Sequence, residues 1–170
     1  MPSKILRKGI DYIGVGTGAM IFNNIGQVFL AQRGIKARNE KGLWDFPGGS
    51  VEFGEKCEDA TIREIKEEYG FEIEIMEFLE FVNHIMPTEK QHWVSTTFIA
   101  KYKSGQPKIL EPEKCSQIKW INLKEINPRT LTIASQSDLK TYIKKFGFKI
   151  PSQIKIDYYA SNQIRPIPTL

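Results

Sequence analysis

Three carboxylates, Glu64, Glu67 and Glu68, crowd into the run Arg63-Glu64-Ile65-Lys66-Glu67-Glu68-Tyr69-Gly70. At about 100° per residue a helix places Ile62, Ile65 and Tyr69 on one apolar stripe and the three glutamates roughly opposite. Like charges within one turn repel by roughly a few tenths of a kcal/mol per pair. Glu67 and Glu68 also stand near the C-terminal end, where the helix dipole disfavours negative charge. Arg63 can pair with Glu67 four residues on, which offsets only part of this. Taken alone, the helix reads first as a solvated acidic face. Its alternative is a row of hard oxygen ligands suited to Mg²⁺ or Mn²⁺, which share their coordination with water and phosphate oxygens.

The upstream sequence favours the alternative. Leu43-Trp44-Asp45-Phe46-Pro47-Gly48-Gly49 leads into the helix, with Gly54 and Glu55 between. Pro47 and the two glycines are expected to stop any regular element. Residues without a Cβ let the backbone come close to an anion or a metal. A strand, a glycine loop and a helix with three carboxylates together describe a site for a metal-bound diphosphate.

The spacing resembles that of the Nudix hydrolase family. Gly49, five residues, Glu55, seven residues and then Arg63-Glu64-Ile65-Lys66-Glu67-Glu68-Tyr69-Gly70-Phe71 fill every fixed position of that family's box. The resemblance implies an α/β (α+β) fold, an α/β/α sandwich around a mixed sheet, with the box as a loop–helix–loop. It implies metal-dependent hydrolysis of a nucleoside diphosphate linked to another group, with Mg²⁺ as cofactor and Mn²⁺ as substitute. Glu64, Glu67 and Glu68 would be metal ligands, with the Gly48 carbonyl beside them. Arg63 and Glu55 would steady the loop and helix, and Glu64, or a carboxylate outside the box, would take the proton. Lys56 stands where many relatives have Ser or Thr, so the helix cap should be weaker.

Further similarity, in Phe53-Gly54-Glu55, Val82-Asn83-His84 and Glu111-Pro112-Glu113-Lys114-Cys115, is to the (d)NTP diphosphatase subgroup of that family. It implies conversion of a (d)NTP to the monophosphate and pyrophosphate, and points to Glu113 as a distal carboxylate. Gly48, Gly49 and Phe46 are the other expected substrate contacts, with Phe46 or Trp93 as a stacking platform. Pro87 keeps ADP-ribose and nucleotide sugars as the second reading. RNA 5′ ends and a binding-only regulator follow behind.

Elements that must position these groups can be read from the pattern. Gly14 to Phe22 and Gln27 to Gln32 flank the turn cluster Asn23-Asn24-Ile25-Gly26, which predicts a hairpin. A helix is predicted from about Lys56 to Tyr69, capped by Gly70. Strands follow at Phe71 to Ile75, His92 to Tyr102 and Ile118 to Ile121, then a helix from about Ser135 to Phe146. Residues 1–150 read as one domain and 151–170, with Pro151, Pro166 and Pro168, as an extended tail.

Composition sets the outer bounds. A chain of 170 residues, 41% apolar and 26% charged, has the make-up of a single globular domain. Its net charge of +4 mildly favours anionic partners, but no aromatic-interleaved basic stripe points to nucleic acid. Cys57 and Cys115 form no metal or disulfide pattern. No apolar run approaches the roughly 18 residues of a membrane span, and MPSKILRKG is followed by no apolar leader segment. The expected partner is a nucleotide and the expected compartment the cytoplasm, with a homodimer left open. Gly14-Val15-Gly16-Thr17-Gly18 lacks a following helix and so does not read as a dinucleotide loop. His84 and His92 have no nucleophile arrangement around them.

Overall fold

The computed structural model describes residues 5–152 and 154, so most of the expected tail lies outside the described residues. The elements run β1 (Gly14–Phe22), β2 (Gln27–Arg33), β3 (Trp44–Asp45), β4 (Gly48–Ser50), α1 (Cys57–Tyr69), β5 (Glu72–Met86), β6 (Gln91–Ser104), β7 (Cys115–Asn122) and α2 (Ile133–Phe146). One mixed sheet is ordered β3-β2-β1-β6-β5, with β4 also on β1 and β7 also on β2. β1 and β6 are parallel, and the other pairs are antiparallel.

Alternation along the central strands builds a core on each face. Ala19 and Ile21 of β1, with Phe29 and Ala31 of β2, pack with Ile65 and Tyr69 of α1. Their neighbours Met20, Phe22, Val28 and Leu30 pack with Leu139 and Tyr142 of α2. A strand buried on both faces reads as a continuous apolar run. The result is the α/β/α sandwich expected from the resemblance. No helix among the described residues is long and apolar enough to cross a membrane.

Both helices are fixed at their ends. Lys56 caps α1 with no side-chain hydrogen bond, and Glu58 and Asp59 in the first turn favour the dipole instead. Gly70 closes α1 in the left-handed region at φ 71°, its N–H donating to the Lys66 carbonyl at 3.0 Å. Helix α2 starts two residues earlier than its apolar spacing suggests, because the Thr132 hydroxyl accepts from the Ser135 N–H at 3.2 Å.

Two strand expectations need correction. Gly48, Gly49 and Ser50 do not interrupt regular structure: they form β4, antiparallel to Gly16–Gly18. The missing side chain is what allows this, since a Cβ on Gly48 would overlap the Thr17 carbonyl. The strand predicted at Phe71 to Ile75 continues as β5 to Met86. Register shifts at Ile75/Glu77 and Phe78/Glu80 break its two-residue period and hide it from pattern reading.

Candidate active site

Arg63 is the centre from which the acidic helix is organised. Its Nε and Nη2 grip Glu55 Oε1 and Oε2 at 2.8 and 3.0 Å, a bidentate pair, and Nη2 also donates to the Ser50 carbonyl at 3.0 Å. Its Nη1 lies 3.1 Å from both Glu64 Oε1 and Glu67 Oε2. One planar guanidinium thus ties the box loop, β4 and α1 together, a task for which a lysine's single ammonium is unsuited. Arg63 holds the Glu55 carboxyl below its ordinary range, and Glu55 in turn raises the guanidinium's proton affinity. Glu55 also accepts from the Glu52 N–H at 3.2 Å.

The three box glutamates do not share one environment. Glu64 turns inward with its side chain 15% exposed and accepts from the Ser50 N–H at 3.2 Å. Its carboxylate lies against Gly49, where any Cβ would overlap it. Glu68, one turn on, is largely buried. Burial above all, then the charges of Glu64 and Glu111, push its carboxyl up to about 7, against a hydrogen bond with Tyr69 that lowers it. Glu67 is different: its side chain is 60% exposed, it pairs with Arg63, and it does not line the cavity.

That cavity, of about 690 Å³, runs from Glu64 and Glu68 across Gly48 and Gly49 to α2. Arg33, Lys36, Arg38 and Lys114 bring four cations to its wall. The loop before β7 is held over the end of α1, with the Lys108 and Leu110 N–H groups donating to the Tyr69 and Glu68 carbonyls at 3.0 Å each. It thereby delivers Glu111 to the cavity wall, where Glu111 Oε2 pairs with Lys114 Nζ at 2.7 Å. Glu113, the distal carboxylate expected from sequence, is not on that wall: its side chain is 63% exposed and pairs with Lys36 Nζ at 2.6 Å. The two acids stand two residues apart in one loop, and the loop's path sets one on the wall and the other off it.

Phe46 borders the cavity but is 5% exposed and packs in the α2-side core. Its N–H donates to Ser135 Oγ at 2.8 Å, which in turn donates to Asp45 Oδ1 at 2.6 Å. Trp93 presents a more open wall, with Arg38 4.6 Å above its ring and Gly9 and Gly14 packed against the indole.

The donor set suits a hard divalent cation. Glu64, Glu68 and Glu111 bring carboxylate oxygens to one region, and the raised Glu68 shows how costly a second negative charge is there without a counter-ion. No three His, Cys, Asp or Glu side chains among the described residues converge as a finished cage. Ligation would therefore draw on one or two carboxylates with backbone, water and phosphate oxygens, the coordination that Mg²⁺ favours.

Comparison with known proteins agrees with this geometry. The NUDIX domain model matches residues 13–142. A crystal structure of a MutT NUDIX hydrolase from Burkholderia pseudomallei superposes with a TM-score of 0.70 at 34% identity, covering 76% of this chain and 98% of that one. An RNA pyrophosphohydrolase of Erythrobacter litoralis is 27% identical over 146 residues, 76% of this chain and 87% of its own. An 8-oxo-dGTP diphosphatase of Proteus vulgaris is 42% identical over 60 residues, 35% of this chain and 53% of its own. Another curated relative is matched over only 35% of its own length, so some of these proteins are far longer than the shared domain. With the box, the sandwich and the acid-lined cavity in one chain, this protein belongs to the Nudix hydrolase family.

Proposed function

We propose that the chain converts a (d)NTP to the monophosphate and pyrophosphate with Mg²⁺, for which Mn²⁺ substitutes. The observation that carries this reading is the opposition, within one cavity, of Glu64, Glu68 and Glu111 to Arg33, Lys36, Arg38 and Lys114. The acids suit a metal and the cations suit a chain of phosphates. A volume of about 690 Å³ fits one nucleotide and is typical of small-molecule sites.

Bound Mg²⁺ supplies charge neutralisation on the phosphate oxygens and lowers the pKa of a coordinated water. Glu64 and Glu68 would hold it, with Glu111 and the Gly48 carbonyl nearby and Glu67 contributing from the rim. Arg63 and the Ser50 N–H fix the direction of the Glu64 carboxylate. Glu64, so held, would receive the proton of the attacking water. Lys114 and Arg33 orient the phosphates, and Gly49 leaves the space that the Glu64 carboxylate occupies. Glu55 acts through Arg63 and touches no substrate.

A panel of (d)NTPs, ADP-ribose, nucleotide sugars and 5′-triphosphate RNA, incubated with Mg²⁺ and resolved by product chromatography, tests the reading. Monophosphate and pyrophosphate from a nucleoside triphosphate are expected. The RNA reading is the second choice, favoured by the extent of the match to the RNA pyrophosphohydrolase. Turnover of RNA or ADP-ribose at least tenfold more efficient than that of every triphosphate would sink the first choice.

A further inference from the structure

The sheet ends at β5, and no strand among the described residues pairs with its outer edge. The two halves of that edge are built differently. Between Glu72 and Glu80 the strand has three register shifts and carries Glu74 and Glu77, and Lys145 of α2 donates to the Leu79 carbonyl at 2.8 Å. Bulges, charges and a covering side chain are defences against the approach of another strand. From Glu80 to Met86 the pairing with β6 runs without a shift. The six residues Phe81-Val82-Asn83-His84-Ile85-Met86 include no Lys, Arg, Asp or Glu, in a chain that is 26% charged. Glu80, at the boundary, is held by the Thr141 hydroxyl of α2.

The undefended half is also apolar on one face. Cross-strand partners share a face, and the register aligns Phe81 with Thr96 and Thr17, and Asn83 with Val94 and Val15. Thr17 is hydrogen-bonded to Thr61 of α1, so this is the α1 face of the sheet. The helix does not cover it as far as the edge: Phe81 is 57% and Ile85 63% exposed, and Phe78 and Val15 are exposed on the same face. At about 150–250 Å² for an aromatic side chain, these four leave on the order of 400 Å² of apolar surface open. That is within the range of the largest patch a monomer keeps, and about half of the roughly 800 Å² that each partner of a stable complex buries. Strand pairing along the edge would bury the rest.

We propose that the occupant of this edge is a second copy of the chain, with the two Glu80–Met86 stretches antiparallel about a two-fold axis at Asn83. A two-fold contact must be self-complementary, and this stretch is. With the axis at Asn83, Phe81 faces the partner's Ile85 and Ile85 faces the partner's Phe81, two apolar cross-strand pairs on one face. Val82 faces the partner's His84 on the other. Glu80 comes opposite the partner's Met86, so no like charges meet. The two sheets join into one. Pairing also braces a wall of the cavity, to which Val82, His84 and Met86 belong.

Sedimentation equilibrium of the whole chain from about 1 to 100 µM tests this, a range set by the weaker interfaces of such size. A concentration-dependent dimer is expected. Phe81→Lys combined with Ile85→Lys sets lysine opposite lysine in both pairs and raises the dissociation constant at least about a hundredfold. Phe81→Lys combined with Ile85→Glu sets opposite charges there instead and keeps it within about tenfold of wild type. The two positions lie about 13 Å apart along one strand, so an ion pair within a single chain does not reproduce this rescue. Both side chains are exposed in the single chain, and circular dichroism checks that each variant folds. Asn83→Cys tests the axis without added charge. Opposed Cα atoms in antiparallel strands stand about 4.5–5.5 Å apart, within reach of a disulfide, so mild oxidation is expected to give a covalent dimer. A monomer across the whole range, a dimer that the paired lysines leave intact, or an Asn83→Cys chain that fails to cross-link overturns the proposal. Hydrogen-exchange protection of residues 81–86 in such a monomer would assign the edge to another segment of the same chain.

Discussion

Glu68→Gln measures how far the metal-free chain is destabilised by its crowded carboxylates. Burial and the charges of Glu64 and Glu111 raise the Glu68 carboxyl from 4.5 to about 7 in the folded state. At about 1.4 kcal/mol for each tenfold change in proton affinity, that is roughly 3 kcal/mol against folding once the group is ionised in both states. The sign follows from the direction of the shift. Below about pH 4.5 folded and unfolded chains both carry the proton and nothing is lost. As pH rises towards 7 the unfolded chain ionises first, and the penalty grows until the folded group ionises too. A glutamine amide in place of this carboxyl has no charge to bury, so the penalty disappears with the substitution. For a domain of this size 1 kcal/mol moves Tm by about 2–4 °C. The variant is therefore expected to melt between about 6 and 12 °C above wild type at pH 8 in EDTA, and level with it near pH 4. Differential scanning calorimetry across that range is the assay. Mg²⁺ should close the gap at pH 8 by stabilising wild type, while kcat of the variant falls by orders of magnitude. A gain of equal size at pH 4 and pH 8, or no gain at pH 8, would refute the electrostatic account.

Other substitutions divide the site by position. Glu64→Gln is expected to lower kcat/KM by about a thousandfold or more and Glu67→Gln by less than about tenfold, because the Glu67 carboxylate stands outside the cavity; steady-state kinetics with one triphosphate compares them. Gly49→Ala drives a Cβ into the Glu64 carboxylate, the far end of a flexible side chain, so activity should fall at least about tenfold while Tm drops only a few degrees. Arg63→Lys keeps the charge but cannot serve Glu55, Glu64, Glu67 and the Ser50 carbonyl together, and thermal melting should show a loss of about 1–3 kcal/mol with no recovery of activity. Asp45→Ala frees the Thr132 and Ser135 hydroxyls and the Arg33 guanidinium at once, and chemical denaturation should register about 2–4 kcal/mol.

The box was legible because its chemistry is local. Glu55, Arg63 and Glu64 are tied together within α1 and the loop that feeds it, and Glu68 follows one turn on, so their spacing encodes their geometry. The central strands were legible as well, since burial on both faces leaves uninterrupted apolar runs at β1 and β2. What sequence reading missed depends on distant contacts. β4 exists only because Gly48 can lie against Thr17, and β5 continues through bulges that erase its period. Choosing Glu113 over Glu111 turns on the path of the β7 loop across the end of α1, set by backbone hydrogen bonds that no residue type announces.

The cavity gathers carboxylates beside the box helix, and burial decides how they can be neutralised. Glu64 and Glu68 line the same cavity, where the charges of Glu64 and Glu111 add to burial in raising the Glu68 carboxyl and Lys114 offsets part of that rise. A buried carboxylate can be stabilised by metal or by protonation, and the choice fixes what it offers a ligand. At Glu68 a bound cation would relieve the burial penalty and a proton would remove the charge, so metal binding and protonation of this carboxyl would compete.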